Sequence, residues 1–201
     1  GGRITPSFTR NWLVKQEAGA LPAQFGAMDK LALVLTLAAL LVWVAVPGTA
    51  AGAGLLAAAA VAGMARLARW QGAATRSEPL LLVLHVGYLW IPIGLALLAL
   101  SHWLSALSET GALHALTIGA IGTMTLAVMS RATLGHTGRA LTAGPGLTAA
   151  FVLISVAAVS RVVAVLWLGA AQPLLMLTAA SWVGAYVCFL AVCGPMVVGR
   201  K

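Results

Sequence analysis

Between Leu80 and Leu100 the chain is apolar almost from end to end, and the only side chain there that can carry charge near neutral pH is His85. Roughly 20 apolar residues suffice to cross a bilayer as a helix, the one local structure that pairs all its backbone groups internally. Five further stretches approach this pattern, giving candidate spans at 30–46, 50–68, 80–100, 112–130, 146–169 and 173–194. Hydrophobic residues make up 61% of the chain and charged residues 8%, against about 25% charged in a soluble domain. A soluble fold is excluded. The expected architecture is an all-α polytopic membrane protein with six transmembrane helices in a bundle. A cytoplasmic or interfacial linker is expected over 1–29, the transmembrane domain over 30–194 and a cytoplasmic tail over 195–201.

The net charge of +8 invites a nucleic-acid reading, but the placement of the basic residues removes it. Arg3, Arg10, Lys15 and Lys30 precede the first span; Arg66, Arg69 and Arg76 come next, then Arg131 and Arg139, then Arg200 and Lys201. The loops between spans one and two, three and four, and five and six carry none. Basic residues thus fall on every second side, the positive-inside pattern, and both termini are expected in the cytoplasm. The charge orients helices and meets anionic lipid heads; no nucleic-acid partner is required. The chain opens Gly1-Gly2-Arg3 without a charged-then-apolar leader, so the polar start reads as internal and an upstream part is expected.

All four histidines lie between His85 and His136. His85 is placed near the inner face and His136 just past span four on the same side, while His102 and His114 flank the outer loop. Neutral imidazole is a common ligand for metals and haem iron. His102, beside Trp103, reads as an interfacial residue meeting water and head groups. His85, inside an apolar run, needs a partner. An antiparallel hairpin predicts that His85 and His136 share a haem or a metal. His114 and His136 stand roughly 30 Å apart along a helix, so His114 is assigned to a separate site.

Guanidinium groups pair well with carboxylates such as haem propionates, which makes Arg131, Arg139 and Arg161 candidates for an anionic ligand. Arg161 interrupts span five, with no Asp or Glu expected inside any span to pair with it. Three readings stay open for it: snorkelling outward, a propionate near His114, or a group on an upstream part. Ala115, Gly119, Thr123 and Ala127 form a small-residue seam suited to close helix packing, and Gly119 and Gly122 are candidates for packing against a flat cofactor. Cys188 and Cys193 point to different helix faces and form no pair. No covalent haem-attachment, phosphate-loop or dinucleotide motif appears, and without a buried carboxylate a proton relay is not expected.

The stretch His114-Ala-Leu-Thr-Ile-Gly-Ala-Ile-Gly-Thr-Met, with Arg131-Ala-Thr-Leu-Gly-His-Thr-Gly-Arg139, resembles the pattern of the NnrS family. These are bacterial inner-membrane haem–copper proteins linked to the nitric oxide response. His85-Val-Gly-Tyr-Leu-Trp90 and Gly1-Gly2-Arg3-Ile-Thr-Pro-Ser-Phe-Thr-Arg-Asn-Trp12 fit the same family. The resemblance implies b-type haem and copper as cofactors, His85, His114 and His136 as ligands, and a bacterial inner-membrane location. It also implies that this chain corresponds to the second half of a roughly twelve-span protein, with the first half and a redox partner as partners. Two other classes compete: a bis-histidine b-type electron-transfer cytochrome, and a non-haem membrane transport or binding module. A redox or nitric-oxide-handling activity is compatible with these residues, and none of them is singled out as catalytic.

Overall fold

The chain holds four Asp and Glu side chains, and three of them mark where a helix starts. Asp29 accepts from the backbone N–H of Gly26 (3.0 Å), Glu78 from that of Leu80 (3.1 Å), and Glu109 opens the fourth transmembrane rod. Carboxylates suit these places because the first N–H groups of a helix lack partners and carry partial positive charge. The structure, a computed structural model, describes residues 1–199 and is helical throughout those elements. In order they are α1 (Ile4–Lys15), α2 (Ala27–Ala45), α3 (Ala50–Ala68), α4 (Pro79–Ser101), α5 (Glu109–His114), a π-helical segment (Ala115–Gly122), α6 (Thr123–His136), α7 (Pro145–Leu166) and α8 (Ala171–Val198). The stretch from α5 through α6 runs on as one rod, and six rods are long and apolar enough to cross a membrane. The chain is an all-helical polytopic membrane protein.

Helix boundaries follow local chemistry. Pro79 stands at the first position of α4 with Glu78 as its cap, and Pro145 opens α7 behind Gly144, because proline there gives up an N–H that has no partner anyway. Two boundaries differ from the sequence expectation with consequences. The first span begins at Ala27, so Asp29 belongs to a helix and is buried. The fourth continues to His136, so Arg131 and His136 sit on the helix and not beyond it. Residues expected to form a linker contain α1, whose Thr5, Thr9 and Leu13 are buried. Of the expected tail, Arg200 and Lys201 lie outside the described residues.

α4 is the central rod. Its starting end (Leu80, Leu81, Val83, Leu84) packs with α6, α7 and α8 around Leu126, Phe151 and Ile154. Its finishing end (Leu95, Leu98, Ala99) packs with α2 and α3 around Ala39, Leu56 and Ala59. The small-residue seam lies where close packing demands it: Ala115, Gly119, Thr123 and Ala127 are all buried. A Cβ on Gly119 would stand 2.5 Å from the Trp90 ring, so the absence of a side chain lets α4 approach. By contrast α2 and α8 expose long apolar faces, including Leu37, Leu41, Val183 and Val187, as helices bordering lipid do.

Topology is testable by labelling. In a background without Cys188 and Cys193, single cysteines at Ala74 and Ser105 are expected to react from opposite sides of the membrane. Gly72 would be a poor probe, since a Cβ there would sit 2.8 Å from Nδ1 of His85. Reaction of both positions from one side would overturn the six-span path.

Candidate functional site

His114 ends α5 and Arg161 lies one turn and a half before the end of α7. Each side chain therefore stands roughly 8 Å from the same end of the bundle at helical rise. Nη2 of Arg161 lies 3.0 Å from Nε2 of His114, and Nδ1 of His114 lies 2.6 Å from the carbonyl oxygen of Thr110. A guanidinium only donates, so Nε2 must offer a lone pair and Nδ1 must carry the proton. His114 is thus a neutral imidazole whose Nδ1–H is anchored to backbone. The same anchoring orients histidines that ligate metals through Nε2. His114 and Arg161 both line a cleft.

That cleft has a volume of about 640 Å³ and is lined by Thr117, Ile121, Gly122 and Thr125 below His114, and by Thr178, Trp182 and Tyr186 of α8 opposite. Thr117, Ile121 and Thr125 are exposed, so the cleft is open along one side. One wall is the π-helical segment. Such i→i+5 winding is rare, turns up often at functional sites, and rotates the residues beyond it relative to an α-helix. Gly122 lines the cleft, and a Cβ there would meet nothing closer than 3.6 Å. Gly119 instead faces Trp90. Of the two glycines expected beside a cofactor, one borders this cleft and one serves helix packing. Thr178 in its lining is tied to Ser160 of α7 by a 2.9 Å hydrogen bond between hydroxyls.

His85 presents the opposite chemistry. Its Nε2 lies 2.8 Å from the hydroxyl of Thr9, which itself donates to the carbonyl of Thr5 at 2.9 Å. One hydroxyl proton cannot serve both partners, so Nε2 of His85 is the protonated nitrogen. Nδ1 is buried without a hydrogen-bond partner among the described residues, pressed against Gly72, and the ring meets Trp70 edge-on at 6.5 Å. His85 therefore fastens α1 to α4. Ligation through Nε2 would require α1 to release it.

Beside His85 lies a buried polar cluster. Arg66 donates from Nε to Asp29 (2.8 Å), from Nη1 to the Tyr88 hydroxyl (3.1 Å) and from Nη2 to the Gly2 carbonyl (3.0 Å). Trp70 and Tyr88 stack against each other at 4.5 Å, with the guanidinium 5.1 Å from the Trp70 ring centre. Arg69 adds a second contact to Asp29 at 3.3 Å. The expectation of no buried carboxylate is corrected here: Asp29 and Glu78 are both buried. Each is committed to structure, Asp29 to two arginines and Glu78 to the backbone N–H groups of Leu80 and Ala143.

The remaining expected residues are dispersed. His136 is exposed at the last position of α6, and no ring or hydrogen-bond contact joins it to His85 among the described residues. Arg131 lies over the Phe8 ring at 4.0 Å, and Arg139 is exposed in the following loop. His102 is exposed and meets the Trp103 ring edge-on at 5.1 Å. No group of three or more His, Cys, Asp or Glu side chains converges on one point among the described residues. Sequence reasoning missed Thr9, Trp70 and Tyr88. It also passed over the one available signal for Asp29, an acid three residues after Gly26 at the start of an apolar run.

A family model described as NnrS protein matches residues 1–201. No curated protein and no solved structure matched the chain.

Proposed function

Because the chain belongs to the NnrS family over its whole length, and so to membrane proteins of the nitric oxide response, we propose that it binds haem, with His114 as a ligand. The observation that carries this reading is the pairing of an acceptor imidazole with a cation at one cleft: Nε2 of His114 accepts from Arg161, and both side chains line the opening. The residues fit such a group on three counts. Nε2 is an acceptor held in place from behind by Thr110. The walls are apolar with hydroxyls at Thr117, Thr125 and Tyr186. Arg161 is a permanent cation with no carboxylate partner among the described residues. On binding, Arg161 is to turn from the imidazole to a propionate, with which its planar fork pairs better than with a single ring nitrogen. Haem iron held by one imidazole keeps a coordination position for a diatomic ligand such as nitric oxide.

Copper fits less well within this chain. A closed site needs several nitrogen or sulfur donors at one point, and no such group converges among the described residues. A copper site in this reading takes ligands from beyond these 201 residues. His85 and His136 remain candidates for it, and Arg131 and Arg139 for the anionic edge of a second haem, once α1 releases His85.

A visible spectrum of the purified protein, with metal analysis, tests the reading. A Soret band and a shift on adding nitric oxide or carbon monoxide to the reduced protein are expected. A haem spectrum unmoved by either gas would favour the bis-histidine cytochrome, whose iron has no open position. Absence of bound haem after reconstitution would favour the non-haem membrane module.

A further inference from the structure

Arg3, the residue that caps α1, and Pro6, Ser7 and Arg10 share one face at spacings of three and four, while the opposite face of α1 buries Thr5, Thr9 and Leu13. The first face lines a cleft of about 790 Å³, closed on its other side by Phe25, by Leu33 of α2 and by the Arg66–Asp29 pair. The cleft is separate from the one at His114. Its lining holds three guanidinium groups (Arg3, Arg10, Arg66) against one carboxylate (Asp29), a net charge of +2 by that count. Asp29 is already engaged by Arg66 and Arg69, and Arg66 has all three of its nitrogens occupied. Arg3 and Arg10 have no carboxylate within salt-bridge distance among the described residues. Two unpaired guanidinium groups at one cleft, set at the basic end of a membrane bundle, suit a phosphate oxygen fork.

What distinguishes a lipid from free phosphate is the wall. Leu33 belongs both to the cleft and to a stripe of α2, Leu33, Leu37, Leu41 and Val44, whose members are 49–71% exposed. A cationic cleft that opens straight onto an apolar face matches an anionic head with an acyl tail. We infer that this cleft binds the phosphate headgroup of an anionic phospholipid, with Arg3 and Arg10 holding the phosphate and one acyl chain lying along Leu33, Leu37 and Leu41. Free phosphate would meet the same arginines and gain nothing from the stripe.

Native mass spectrometry of the 201-residue chain in detergent tests this with phosphatidylglycerol, phosphatidylcholine of matched chains, and inorganic phosphate. Phosphatidylglycerol is expected to be retained over phosphatidylcholine and not displaced by millimolar phosphate. Arg3→Gln and Arg10→Gln should each weaken its retention about fivefold, and together about twenty-five-fold, as expected for one surface cation apiece. Neither side chain takes part in a hydrogen bond among the described residues, so far-UV circular dichroism should be unchanged. The exposed Arg76→Gln should bind as the parent does. A double lysine variant, which keeps charge but loses the planar fork, should recover part of the lost affinity. Equal retention of the two lipids, displacement by phosphate, or an unaffected double glutamine variant would each overturn the inference.

Discussion

Asp29→Ala is expected to lower stability by about 3–5 kcal/mol, the usual cost of removing one partner from a buried ion pair. The size follows from what stays behind. Arg66 is 3% exposed, so without Asp29 its guanidinium holds only the Tyr88 hydroxyl, the Gly2 carbonyl and the faces of Trp70 and Tyr88 among the described residues. Neutral acceptors and ring faces offset part of the loss and do not restore a counter-ion. Asp29→Asn, which retains hydrogen-bonding capacity without charge, should fall between parent and alanine. Arg66→Met in the Asp29→Ala background should recover much of the loss, because the stranded charge is gone. Unfolding in detergent followed by circular dichroism measures all three. A drop below about 1 kcal/mol for Asp29→Ala would show that water reaches Arg66 and that the pair is a surface pair in energetic terms.

The same pair shows where sequence reading stops. The spans were legible because bilayer thickness fixes a length and a composition at once: Leu80–Leu100 became α4 within a residue at each end, and 50–68 became α3 unchanged. The seam of Ala115, Gly119, Thr123 and Ala127 was legible because close packing needs small residues at regular spacing. Depth was legible too, since residue count along a helix gives position along the bundle axis, and His114 and Arg161 fall at matching depth. Rotation of each helix about its own axis was not. Whether Arg161 meets His114 or lipid depends on that angle, which packing against neighbours sets, and the π-helical segment changes it between His114 and Thr123. Docking of α1 escaped notice for a different reason. Beside Leu13 its buried face is Thr5 and Thr9, short hydroxyl residues that read as solvent-facing until a buried partner, His85, satisfies one of them. The segment expected as a linker thus contains a helix docked on α4 through His85.

His114→Ala is expected to lower haem content to background while leaving the helical fold intact, the largest functional effect proposed for a single side chain. The imidazole is half-buried, and its two hydrogen bonds run to a backbone carbonyl and to Arg161, so its removal breaks no buried ion pair and opens an already open cleft. Arg161→Leu should behave differently. It frees Nε2 from a donor that competes with a metal for the lone pair, and it also removes the cation that would meet a propionate. Each contribution is about 1.5–3 kcal/mol for a hydrogen bond to a charged group, and the two oppose each other. Haem content should therefore change little beside the loss at His114, while the spectrum shifts because the propionate has lost its partner. Arg161→Lys should retain content with a smaller spectral shift, since charge remains and the fork does not. His102→Ala, at an exposed ring that meets Trp103 edge-on, should leave both readings unchanged. If His114→Ala keeps the parent's haem content and spectrum, the ligand lies elsewhere. The contact between His114 and Arg161 would then serve only to shelter a cation from lipid.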